Sequence, residues 1–193
     1  SISIPEKVTS IGNYAFFGCS SLISITIPKK VTSMGTHIFY GCSNLTSVAI
    51  PEGVKSIGNM AFYECSSLTS VTIPSSVKSI SKQAFSGCSS LTSVAIPEGV
   101  TSIEDSTFNR CSSLTSVTIP SSVISIKYSA FSRCSSLTSV TVKAETPPTL
   151  GSNAFNNCDK LESIYVPASK VDTYKGANGW KIYAVNIVAI TTT

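Results

Sequence analysis

Charge is scarce in this sequence: only 12% of its 193 residues are Asp, Glu, Lys or Arg, and the formal net charge of +4 is spread without a run of one sign. Charge that dilute does not build the basic groove that nucleic acid requires. Apolar runs are only a few residues long, and no basic stretch followed by an apolar one opens the chain. The segment is therefore expected to be soluble as it stands, with no membrane insertion of its own. Histidine occurs once, at His37, with no acid or nucleophile tied to it by a motif. It falls at a variable turn position and reads as an exposed surface residue. Phosphate-binding glycine sequences are missing too, since "GANG" at 176–179 is better explained as a helix end. The ten acidic residues sit mainly in turns, Glu6, Glu52 and Glu98 among them, and "EDS" from Glu104 to Ser106 is an isolated pair of acids. With no convergent polar groups, neither an enzyme nor a cofactor site is expected.

What the chain does have is repetition. Cysteines fall every 23 residues at Cys19, Cys42, Cys65, Cys88, Cys111 and Cys134, with Cys158 one residue late. Prolines keep step from Pro5 to Pro120, and Pro167 closes the series after a gap at Lys143. The shared pattern is I-P-x-x-V-x-S-I-x-x-x-A-F-x-x-C-x-x-L-x-S-V-x. In "LTSVTI" (114–119) apolar and polar residues alternate with the period of two that marks a half-buried strand. Pro120 ends it, lacking an amide donor, and Val123 to Ile126 form a second short apolar stretch. "AFSRC" then spaces Phe131 and Cys134 three apart, which predicts one helical or 3₁₀ turn.

No such coil can bury its own Leu, Val, Ile, Phe and Cys, so the coils must stack on one another. The expected fold is a β-dominated α/β-class solenoid of about seven 23-residue coils with short strands and helical or 3₁₀ turns. Eight parallel strands, counting "SISI" at the start, would span roughly 35 Å. Local zinc spacing is absent, because no cysteine lies within twenty residues of the next. Stacking brings the cysteines into a column close enough for disulfides, although side chains pointing in parallel rarely meet the required dihedral. Each is read as a small buried hydrophobe.

The repeat is similar to leucine-rich repeats, and its "IPxxVxSIGxxAFxxCSSLTSV" form resembles the BspA-like subfamily. The resemblance covers about residues 1–166 and weakens at "AETPPTL" (144–150), where a locally irregular coil is expected. It implies a secreted or bacterial cell-surface protein of adhesive role, binding host extracellular matrix proteins, host cells or other bacteria. Residues 167–193 leave the pattern and read as a C-terminal cap. There Ser169 is expected to cap a short helix whose Val171 and Tyr174 share a face, with Gly176 or Gly179 as its stop. Ser1 to Ile4 begin in mid-repeat, so upstream residues or a partner are expected to cover that strand edge.

Two surfaces are candidates for a partner. Beside the Ala-Phe pair, the first three repeats carry Tyr14 with Phe17, His37 with Tyr40, and Met60 with Tyr63. In later repeats the same slots hold Gln83 with Ser86, Ser106 with Asn109, Ser129 with Ser132, and Asn153 with Asn156. Exposed, the aromatic pairs would make a partner site; packed down, they would merely cover the turn. The second candidate is the outward sheet face, with Ser70, Thr72, Ser116, Thr118 and Tyr165. Ser and Thr there also suit a plain solvent-facing strand. The function expected is a noncatalytic protein-interaction and adhesion module, outside the cell or on its surface. The alternatives are a spacer holding another domain off the envelope and, third, a binder of glycan or another repetitive lattice through the Ser/Thr columns.

Overall fold

The computed structural model describes residues 2–191, and its coils follow from the alternation of apolar and hydroxyl side chains. In the strand Ser116–Ile119, Val117 and Ile119 are buried while Ser116 and Thr118 face solvent. It pairs in parallel with Ser139–Val142, Val117 opposite Val140, and that strand pairs with Ser163–Val166. Identical faces thus stack on identical faces, which is what a fixed repeat length produces. Earlier rungs are shorter, such as Ile25–Thr26, Ser47–Ala49 and Ser70–Thr72. At the coil of Leu91 to Ile96 the ladder narrows to a single bridge, Ala95 to Thr118. A second column of two-residue strands, including Ser56–Ile57, Ser79–Ile80, Ser102–Ile103 and Ser125–Ile126, forms the next side.

The third side departs from the expected helical turn. The i to i+3 bonds of such a turn are present, Tyr63 N–H to Met60 O and Cys65 N–H to Phe62 O. Each coil, however, has a residue with positive φ on both sides of its Ala-Phe pair, for example Met60 at 51° and Glu64 at 56°. These left-handed residues break helical continuation and turn alternate amides toward the neighbouring coil. Met60, Phe62 and Glu64 N–H donate to the carbonyls of Lys82, Ala84 and Ser86. The corner is a run of linked turns that is itself a ladder, so the backbone polar groups of a non-helical segment are still satisfied.

Inside, one phenylalanine per coil stacks on the next. Phe16, Phe39, Phe62, Phe85, Phe108, Phe131 and Phe155 have ring centroids 5.2 to 5.5 Å apart, and all six steps are near parallel. Beside this column run the cysteines, all of them free thiols. Each buried thiol donates to the phenylalanine carbonyl of the coil before it: Cys65 Sγ to Phe39 O at 3.1 Å, Cys88 to Phe62 at 3.2 Å, Cys111 to Phe85 at 3.3 Å. The same carbonyl already accepts an amide of its own coil, as Phe39 does from Cys42 N–H at 3.0 Å. Cysteine therefore combines an apolar surface with a weak donor for the second lone pair. Cys19 is half-buried and the other six are buried, so the folded protein should react with one equivalent of a thiol reagent. Seven equivalents are expected after denaturation, and more than one without denaturant would contradict this packing.

The hydroxyls of "CSSLT" form ladders of their own. Thr69 Oγ1 donates to Thr46 O at 3.1 Å and Thr138 Oγ1 to Thr115 O at 3.0 Å. Ser89 and Ser112 reach the carbonyls of Ser66 and Ser89 in the same way.

Past the seventh phenylalanine the chain leaves the pattern. The strand Ile187–Ala189 adds a ninth rung to the main sheet beside Ser163–Val166, one more than the sequence suggests. Fully buried Tyr174 and Trp180 lie over the last coil, their rings edge to face at 5.3 Å. Tyr174 Oη donates to Ala144 O and Trp180 Nε1 to Pro148 O, both at 2.7 Å. The irregular "AETPPTL" segment is thus where these two side chains dock. Ser169 does not cap the helix Val171–Gly176; it lies inside the preceding 3₁₀ turn Ala168–Lys170, and the residue at the cap is Lys170 without a side-chain bond. The helix does stop at Gly176, with Tyr174 buried and Val171 half-buried.

Candidate functional site

The left-handed residue before each Ala-Phe pair is what places the first candidate surface. At Tyr14, His37 and Met60, φ is 60°, 54° and 51°, a conformation that costs a non-glycine residue about 1 kcal/mol or more. The side chain of each stands on the corner beside the residue three positions on. Two parallel columns result. Tyr14 stacks on His37 at 4.7 Å, while Phe17 stacks on Tyr40 and Tyr40 on Tyr63, both at 4.8 Å. Cross-column contacts join them, Tyr14 to Phe17 at 5.7 Å and His37 to Tyr40 at 5.8 Å. Each stacked pair contributes about 0.5–1.5 kcal/mol, which offsets the backbone strain.

The structure divides these residues into an exposed pair and a group packed against its neighbours. Tyr14 and Phe17 are 54% and 50% exposed. Tyr40, Met60 and Tyr63 are half-buried against their neighbours. His37 is not the exposed residue its turn position suggests. It is half-buried between Tyr14 and Tyr40, and its Nδ1 is out of solvent without a hydrogen-bond partner among the described residues. The ring acts there through its faces.

On the sheet face Ser70, Thr72, Ser116 and Thr118 are exposed and Tyr165 is half-buried. Ala49 and Ala95 interrupt the hydroxyl column, and the ladder itself narrows at Ala95. The two acids of "EDS" are not isolated. Glu104 pairs with Lys127 in the following coil and Asp105 with Lys82 in the preceding one, each at 2.8 Å. The Lys82 ammonium beside Asp105 holds that carboxyl below its usual range.

Further along the corner, the slots that held rings hold Ser and Asn, and they enclose a hollow of about 290 Å³. Arg110 and Arg133 border it. The sequence reading passed over these arginines, although a signal was there: their positions match Gly18, Gly41 and Gly87 in other coils. Among the described residues no group of three His, Cys, Asp or Glu could hold a metal ion, and no helix is long and apolar enough to cross a membrane.

The family model of the BspA type leucine rich repeat region matches residues 1–115 and 55–177, with 6 copies. No curated protein sequence matches the chain. Among solved structures, a leucine rich repeat protein of T. pallidum is 30% identical with a TM-score of 0.77, and the match covers 83% of this chain and 77% of that one. A leucine rich cell surface protein of Faecalibacterium prausnitzii A2-165 is 37% identical with a TM-score of 0.73. That match covers 85% of this chain and 46% of the other. The pneumococcal vaccine antigen PcpA shares the fold at 19% identity and a TM-score of 0.70, over 99% of this chain and 44% of its own.

Proposed function

Since the chain belongs to the family of BspA-type leucine-rich repeats, we propose that it is a noncatalytic protein-interaction module of an exported bacterial surface protein, adhesive toward host matrix or cell-surface proteins. Residues 1–166 supply the repeat scaffold and residues 167–193 its C-terminal cap. The observation that carries the reading is the aromatic double column. Closely stacked rings at a strained corner, ending in the exposed Tyr14 and Phe17, are what a binding surface uses and what a spacer does not need. The F. prausnitzii relative is described as a cell surface protein, which supports the location. Rings on parallel rungs offer flat, rigid contact area that loses little entropy on binding, the property that makes Tyr and Phe effective anchors. The Ser/Thr sheet face is the weaker candidate, being small, uncharged and interrupted.

The test is capture on immobilised, purified matrix proteins such as fibronectin, laminin and collagen. Tyr14→Ser with Phe17→Ser removes the two most exposed rings and should weaken capture at least tenfold while shifting the melting temperature by no more than a few degrees. Truncating Tyr40 and Tyr63 should also lower stability, by about 1 kcal/mol per stacked pair lost. Equal capture by wild type and the Tyr14/Phe17 variant would overturn the aromatic site, and no capture of the wild type would leave the spacer reading in place of this one.

A further inference from the structure

The hollow at the other end of the same corner has a different chemistry. It spans the coils of Arg110 and Arg133, and Asn109, Asn153, Asn156 and Tyr128 contribute to its wall. Its floor includes Ser129 and Ser132, both more than nine-tenths buried, which take no part in the hydroxyl ladders. Arg110 and Arg133 occupy consecutive rungs, so their guanidinium groups are borne on backbone only about 5 Å apart. Among the described residues neither is in an ion pair, and the nearby acids Glu104 and Asp105 are already held by Lys127 and Lys82.

Backbone conformation makes the two arginines costly. Their φ angles are 61° and 62°, and in three other coils the equivalent residue is a glycine at 68° to 79°. Arginine there is strained and has a like charge on the adjacent rung, whereas glycine would be relaxed and neutral. An anion between the two forks would relieve the repulsion and fill both sets of donors.

We propose that this hollow is a binding site for an acidic saccharide, a sugar carrying a carboxylate or a sulfate. Arg110 and Arg133 take the acidic group through paired N–H donors. Asn109, Asn153 and Asn156, with the buried serine hydroxyls, offer the mixed donors and acceptors that sugar hydroxyls need. Tyr128, 52% exposed at the rim, presents a flat ring to the apolar face of the sugar. The volume is at the small end of ligand sites, a size for one ring and its substituents. A nearly all-polar lining offers no seat for the apolar side chains of a peptide. The site is separate from the aromatic columns, and either can fail without the other.

Titration calorimetry with sialyllactose, with lactose 3′-sulfate, which carries a sulfate and no carboxylate, and with lactose tests it. One or both acidic sugars should bind, and which of them binds tells carboxylate from sulfate as the source of the charge. Lactose should bind at least tenfold more weakly. The double variant Arg110→Gly, Arg133→Gly should lose at least tenfold in affinity while its melting temperature stays the same or rises, because glycine fits the left-handed backbone. Tyr128→Ala should weaken the same sugar severalfold with the fold intact, and the Tyr14/Phe17 variant should bind it as wild type does. The proposal is overturned by no binding of either acidic sugar, by equal binding of lactose, by undiminished affinity in the glycine double variant, or by binding of a glutamate-rich peptide alone.

Discussion

Above about pH 9 the protein is expected to lose stability by roughly 4 kcal/mol for each pH unit. The cause is the column of thiols. Burial pushes the Cys111 thiol up from 9.0 to about 12, and it raises Cys65 and Cys88 well above the ordinary value too, with the neighbouring thiols adding to the shift of these two. In the unfolded chain each thiol gives up its proton near its ordinary value, whereas in the folded chain it keeps it. Below pH 9 both states are protonated and the stabilisation is fully present; above it the unfolded state binds fewer protons and is favoured increasingly, until the folded thiols ionise as well. Each such group contributes about 1.4 kcal/mol per pH unit, so Cys65, Cys88 and Cys111 together give roughly 4, and Cys42, pushed up to about 11, adds a smaller part. Urea midpoints measured at half-unit intervals from neutral to alkaline pH, under reducing conditions, read this slope directly. Cys111→Ala should flatten it by about a quarter to a third, and a flat profile between roughly pH 9 and pH 10.5 would show that the thiols are not held as described.

Trp180→Ala is expected to be the most damaging single substitution among the residues that close the last coil, at about 5 kcal/mol. Loss of a fully buried tryptophan costs roughly 3–5 kcal/mol, and leaving the Pro148 carbonyl without its donor adds about 1–3. Tyr174→Phe removes only the hydroxyl that serves Ala144 O, for about 1–2 kcal/mol. In a stack of coils each unit is stabilised by its neighbours, so the damage should begin at the C-terminal end. Amide exchange should quicken around Ser139 to Val166 in the Trp180 variant, while amides around Phe62 keep their protection. A loss below about 1 kcal/mol would mean that the last coil needs no cover. Trp180 is the only tryptophan, so its emission in the Tyr174→Phe protein reports the same local opening.

Much of this architecture was legible because the repeat fixes which residues meet. Once Phe62 is one period from Phe85, inward stacking follows from length alone, and the registers Ser116 to Ser139 and Ile57 to Ile80 add nothing unexpected. What stayed hidden was backbone handedness. Tyr14 and Met60 are not residues that announce a left-handed conformation, although His37 and Asn153 adopt it more readily, and spacing alone made their corner look helical. The second slot gave a hint, with glycine at Gly18, Gly41 and Gly87. Reading Arg110 and Arg133 against those glycines marks the two arginines that border the polar hollow.

The cysteines show a subtler gap. Burial could be inferred from their place in the pattern, but the thiol donor to a carbonyl 26 residues earlier depends on side-chain direction. His37 was misplaced for a related reason: a lone polar residue in a turn is ordinarily wet, and only the rings stacked around it keep water away. Ser169 illustrates competition between starts, since the 3₁₀ turn begins before the residue that sequence rules would choose as the cap.

The direction of the bonds between coils has an implication for how such units can be joined. At the corner, amides point toward the following coil, while the thiols and the Ser and Thr hydroxyls point toward the preceding one. The two flat ends of any coil are therefore unlike, one offering amide donors where the other offers carbonyls. Turned about, a coil would set donor against donor at the corner and acceptor against acceptor beside the phenylalanines. Copies of the unit can be added to the stack head to tail but not head to head, which gives the solenoid a polarity like that of a filament with a plus end and a minus end.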